Sequence, residues 1–169
     1  MAAPVYVVYN AVTTALTSPM AGTVTSGTSG TVKTLLQIKP GSQKIRLVEW
    51  GYAFSSGTPS APVQMELIET GTVFATVTSA GSVTNFNDTT GPSSLAVVGT
   101  SATGYNASAE GTITATRLLA QRLDFGPYYV QQWPLGREPE VQNGYSLRIR
   151  ATPTSSAAVT VLCWAAWEE

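Results

Sequence analysis

Four glutamates, Glu66 with Glu69 and Glu138 with Glu140, are the residues whose type and spacing come nearest to acid–base chemistry. Two carboxyl groups facing one glycosidic bond can act as general acid and as nucleophile or base. Glu66 and Glu69 read more simply as strand-face and turn residues, and all four as solvated charge. The chain contains no histidine, so Ser–His and Cys–His nucleophiles cannot form, and no spacing suggests a Ser–Lys pair. Cys163 is the only cysteine, which removes disulfide frameworks and Cys-based zinc sites. Asp88, Glu110 and Asp124 lack the clustered oxygen-ligand spacing of a calcium loop. Gly27, Gly30 and Gly41 lie in flexible or turn contexts, with no following helix to hold a phosphate. The expectation is a protein that is not an enzyme and that carries no cofactor and no metal.

The tryptophans are the other residues with binding potential, since aromatic rings with a polar handle favour interfaces and sugars. Trp50 and Trp164 fall within strand-like runs and read as core. Trp133 precedes Pro134 in a turn, and Trp167 stands beside Glu168 and Glu169, so these two read as exposed contacts. Cys163, inside the last apolar run, reads as a small buried hydrophobe. The sequons at Asn87 and Asn106 are matches expected by chance in a chain with 24 threonines and 16 serines.

Composition bounds the partners. Nine basic and ten acidic residues give a net charge of −1, and charged residues are 11% of the 169, against about 25% in an ordinary domain. A chain so poor in cations is not built to displace counterions from a nucleic acid. No stretch approaches the roughly 18 apolar residues of a membrane span, and the N-terminal residues do not have the pattern of a secretory signal. The expectation is a soluble protein made in the cytoplasm, with neither nucleic acid nor membrane as partner.

Positioning these residues requires strands. Residues 1–30 read as an extended N-terminal arm, Ser/Thr/Gly-rich from Ala11 and without periodicity. Within it, Val5, Tyr6, Val7, Val8 and Tyr9 form a β-prone run that needs cover from this subunit or a neighbour. Residues 31–169 read as the folded domain. Val32, Leu36 and Ile38 mark a strand ended by Pro40-Gly41. From Gln43 to Phe54 the apolar parity changes near Val48-Glu49, which predicts a bulge. The runs at Val63–Ile68 and Thr72–Val77 read as antiparallel neighbours in a meander, followed by a long loop near 79–111. Ala115–Leu123 is the one weak helical candidate. In Tyr145–Arg150, alternation places Tyr145, Leu147 and Ile149 inward and Arg148 and Arg150 outward. Ala157–Trp167 is a final strand covered on both faces. About eight short strands without a convincing helix predict an all-β antiparallel sandwich of the jelly-roll kind.

Two segments together carry a resemblance. The strand Lys44-Ile45-Arg46-Leu47-Val48-Glu49-Trp50-Gly51, followed by Pro62-Val63-Gln64-Met65-Glu66-Leu67, and the later Pro134-Leu135-Gly136-Arg137-Glu138 leading to Tyr145–Arg150 and the terminal acidic pair, resemble tailed-bacteriophage capsid decoration (cement) proteins. That resemblance spans residues 31–169 and leaves the N-terminal tract unmatched. It implies a homotrimeric β-sandwich on the exterior of the virion, clamping subunits of the major capsid protein in an expanded head. The partner-binding residues expected are Trp133, Leu135, Arg137, Glu138 and Trp167, with Val5–Tyr9 adding a strand to a neighbour. Arg137 and Glu138 read either as a salt-bridged turn or as an intersubunit pair. The alternative is a receptor- or carbohydrate-binding module of a phage head or tail fibre, with Trp133, Tyr105 and Tyr128 stacking on sugars.

Overall fold

The alternation that runs through the chain is realised as strands, and the described residues contain no helix. The computed structural model describes residues 3–12, 24–25, 29–55 and 58–169. In chain order the strands are β1 (Val5–Tyr9), β2 (Val24–Thr25), β3 (Lys33–Ile38), β4 (Ile45–Phe54), β5 (Val63–Thr70), β6 (Thr76–Ala80) and β7 (Thr84–Asn85). Then follow β8 (Gly104–Ala109), β9 (Thr116–Asp124), β10 (Tyr128–Gln132), β11 (Glu140–Val141), β12 (Ser146–Pro153) and β13 (Thr160–Glu168). They form two antiparallel sheets, a β-sandwich. The first has the order β10-β4-β13-β1-β7, with β11 on β4 and β2 on β13; the second has the order β6-β8-β3-β12-β5-β9.

Period-two alternation explains the core. Ile45, Leu47, Trp50, Tyr52 and Phe54 of β4 face inward beside Val161, Cys163, Ala165 and Trp167 of β13. Opposite them lie Val63, Met65 and Leu67 of β5 and Leu147, Ile149 and Ala151 of β12. Complete burial of one large apolar side chain stabilises the fold by roughly 1.5–3 kcal/mol. The predicted bulge is present: β13 pairs Ala166 with Glu49 and then Trp167 with Leu47, skipping Val48. That extra residue lets both halves of β4 bury their apolar sets on one face.

Several expectations are corrected. The arm does not extend unbroken to residue 30, because β1 lies inside the first sheet between β13 and β7, with Tyr6, Val7 and Val8 buried. Beyond it, Asn10 continues the ladder through its side chain: Nδ2 donates to the Val161 carbonyl at 2.8 Å, and Oδ1 accepts the Cys163 N–H at 2.7 Å. The rest of the predicted arm, residues 13–23 and 26–28, lies outside the described residues. Trp167 is fully buried and Trp164 only half-buried, the reverse of expectation. The two differ by an odd number of positions, so they must occupy opposite faces, and it is Trp167 that shares the inward parity of Val161. The helical candidate is β9, an edge strand paired with β5 along its length, with Leu119 left unpaired at a bulge. The loop near 79–111 contains β7 and β8. The meander is absent: β5 pairs with β12 and β9, whereas β6 pairs with β8 beyond β3.

The displaced β6 explains the largest correction. Arg148, expected outward, is fully buried, because the link from β5 to β6 crosses the outer face of the second sheet. Its guanidinium donates to the carbonyls of Val73 (2.5 Å) and Glu110 (2.8 Å) and lies 3.7 Å from the Glu110 carboxylate. Beside it, Gln37 grips Ala75 at both ends, Nε2 donating to the carbonyl and Oε1 accepting the N–H at 2.8 Å. Tyr145 is exposed instead of inward, since it precedes β12 in a turn closed by its N–H on the Gln142 carbonyl. Because removal of one partner orphans buried polar groups, Arg148→Leu should destabilise the protein by about 3 kcal/mol, read as a lowered urea midpoint. A loss under about 0.5 kcal/mol would show that the crossover holds without it.

Candidate functional site

The link between β9 and β10 joins two strands that both carry exposed apolar side chains. These strands are the end strands of the two sheets, and only residues 125–127 separate them, so both open edges lie on one side of the sandwich. Gly126-Pro127 turns the chain there. Asp124 locks the turn, accepting the Tyr52 hydroxyl at 2.6 Å and the Gly126 N–H at 2.7 Å. Arg122 approaches Asp124 at 3.5 Å and lies over the Tyr129 ring at 4.1 Å. Tyr129 packs edge-on against Trp50 at 5.7 Å and also meets Tyr52. Burial pushes the Asp124 carboxyl up, but the bonds from Tyr52 and Gly126 and the Arg122 cation outweigh it and hold the group below the ordinary 3.8. Burial, then Asp124 itself, pushes the Tyr52 phenol far up.

On this rigid corner stand apolar side chains that the core does not use. Leu118 and Leu123 of β9, Phe125 of the turn and Tyr128 and Val130 of β10 are all exposed, Tyr128 at 69%. After β10, the Trp133 N–H donates to the Val48 carbonyl at 3.2 Å and its ring packs against the core. A tight turn follows, closed by the Arg137 N–H on the Pro134 carbonyl at 2.9 Å, with Gly136 at φ +82°. That left-handed backbone is why glycine occupies the position. The turn presents Leu135 at 90% exposure, beside exposed Arg137 and half-buried Glu138. Among the described residues neither forms an ion pair, so the salt-bridged turn is not realised.

The structure thus brings Trp133, Leu135, Arg137 and Glu138 together, but not Trp167 or β1, which belong to the sandwich. Sequence reasoning missed Leu118, Leu123, Phe125 and Val130; the signal was Gly126-Pro127 placed between two apolar-containing runs. The rings of the sugar-stacking alternative do not share a surface, since Tyr105 is buried on β8, beyond β3 and far from β10 in the strand order. Of the four glutamates, Glu66 pairs with Arg150 at 2.6 Å, Glu69 with Arg117 and Glu140 with Lys44 at 2.7 Å. Comparison with family models, with curated proteins and with solved structures gives no match.

The corner has an acid signature. A carboxyl held below its unfolded value stabilises the fold fully above that value and loses the contribution as the pH falls through the folded one. Stability should therefore drop as the pH falls below about 4. Asp124→Asn should cost about 1–3 kcal/mol at neutral pH and flatten part of that acid dependence in denaturant titrations at several pH values. Parallel pH profiles for the two proteins would refute the assignment.

Proposed function

We propose that this is a virion structural protein that binds the outside of an expanded phage capsid as a trimer and bridges major capsid subunits. The observation that carries the reading is Leu135, which follows the open-edged β10 and stands 90% exposed on a turn fixed by a hydrogen bond and a glycine. A large apolar side chain held almost fully exposed on a stable domain marks a candidate interaction site, and a preorganised contact loses little entropy on docking. The segment resemblance to capsid decoration proteins supplies the partner class. The fold also suits it. Setting aside β6–β8 and the two-residue β2 and β11, eight strands remain. The first sheet pairs first with eighth, eighth with third and third with sixth; the second pairs second with seventh, seventh with fourth and fourth with fifth. We read this as a jelly roll, an architecture used in viral capsid and lectin domains. Simultaneous engagement by three subunits would multiply weak individual contacts.

Light scattering should give the mass of a trimer, and the protein should pellet with expanded heads of its phage that lack it, and not with unexpanded precursors. Leu135→Ser should lower the trimer mass or weaken pelleting by about tenfold while leaving the melting midpoint unchanged. A wild-type monomer that ignores both shells would overturn the reading. If neither Leu135→Ser nor Arg137→Ala alters mass or pelleting, the contact lies elsewhere.

A further inference from the structure

The outer face of the first sheet carries a second, differently built feature, a groove of about 260 Å³. Its floor is the Trp164 indole, in register with Tyr9 of β1 and Gly51 of β4. A methyl group at Gly51 would come within 2.4 Å of the Trp164 ring, so the missing side chain lets the indole lie close against the strand. Trp164 Nε1 donates to Glu49 Oε1 at 2.7 Å, which fixes the ring in its plane. Tyr9 meets it at 6.2 Å between ring centroids. Phe86, 71% exposed, forms part of the wall. Both aromatic rings of the floor are half-buried, so each keeps some surface open to solvent.

The rim defines the ligand by elimination. No lysine or arginine lines the groove, so nothing there attracts an anion. Its single carboxylate, Glu49, already accepts Trp164 Nε1 on one oxygen and Gln132 Nε2 on the other, the latter at 2.6 Å, and one carboxylate so engaged falls short of the several oxygen ligands a hard cation takes. The floor strands β1, β13 and β4 each have a neighbour on both sides, so no backbone edge is open on the floor for a peptide to add to. What remains is a flat aromatic floor with neutral hydrogen-bonding groups beside it. Gln132 Oε1, the Asn87 side-chain amide and the Tyr9 hydroxyl make no hydrogen bond among the described residues, and Gln132 and Asn87 are exposed. Sites for small ligands combine apolar walls with a few placed polar groups, and those for drug-sized ligands span roughly 300–1,000 Å³. This smaller groove suits a single ring.

We propose that the groove binds a neutral saccharide, one pyranose ring stacking on Trp164 and its hydroxyls bonding to Gln132 and Asn87. The groove is lined by none of the residues of the Leu135 turn, and the inference does not rest on capsid binding. The test is an NMR titration of the full-length protein, following its indole N–H signals against maltotriose, lactose and tri-N-acetylchitotriose in separate series. At least one sugar should shift the Trp164 signal saturably, with a Kd of about 1 mM. Gln132→Ala and Asn87→Ala should each weaken that binding about fivefold with unchanged melting midpoints, and Leu135→Ser should leave it intact. Trp164→Leu should abolish it while the other three indole signals report a preserved fold. Absence of a saturable Trp164 shift with all three sugars would overturn the proposal. So would equal, linear shifts with each of them, or rim variants that bind as tightly as the parent.

Discussion

A cation without water organises the second sheet. Arg148 sits on β12 at the centre of that sheet's outer face, and the chain leaving β5 must pass over it to reach β6 on the far side. Desolvating a guanidinium is costly, and it is tolerated only where its donors meet acceptors in good geometry. The Val73 carbonyl of the crossing chain, the Glu110 carbonyl and carboxylate just beyond β8, and the Ser146 hydroxyl provide them. Because these acceptors come from segments distant in sequence, the charge ties the crossover and the end of β8 to one strand. Burial and the neighbouring Arg150 pull the guanidinium below its ordinary value, while Glu110 opposes them. The outer face of this sheet is consequently a polar interior, with Thr70 bonded to Ser146 at 2.5 Å and Arg150 to Glu66.

The two sides of the sandwich are finished differently. At one, the sheets end in β7 and β6, a two-residue and a five-residue strand. At the other, the nine-residue β9 and the five-residue β10 leave their edges open. Free edges are commonly guarded by charged side chains that repel a second strand. On β9 those charges are Arg117 and Arg122, and each is drawn to a carboxylate of the same chain, Glu69 and Asp124. The charges on this edge are therefore partly neutralised within the chain itself.

Local periodicity made much of this legible, and long-range topology made the rest illegible. Alternation located β4, β5, β12 and β13, and the parity change at Val48 announced its bulge before any pairing was known. Arg148 defeated the same rule, since alternation says which face a side chain takes but not whether another segment covers that face. Trp164 and Trp167 were exchanged because a strand apolar on both faces gives no parity signal. The turn at Pro134–Arg137 was readable from proline and glycine chemistry. Leu118 and Leu123 were not, because β9 carries leucine, alanine and arginine in an order that also suits a helix, and only its pairing with β5 decides between them.

Cys163 closes no bond, yet its position gives the molecule an internal gauge. It lies in the middle of β13, paired on one side with Tyr52 and bonded at its N–H to Asn10 on the other. It has no solvent exposure, and burial pushes its thiol well above the usual range. Only a thiolate reacts quickly with an alkylating reagent, and because β13 lies between β4 and β1, fraying of the end strands leaves the thiol buried. The sole sulfhydryl of the chain therefore reacts when the two sheets part, and its labelling reports the population of such openings, or their rate where alkylation outpaces reclosing.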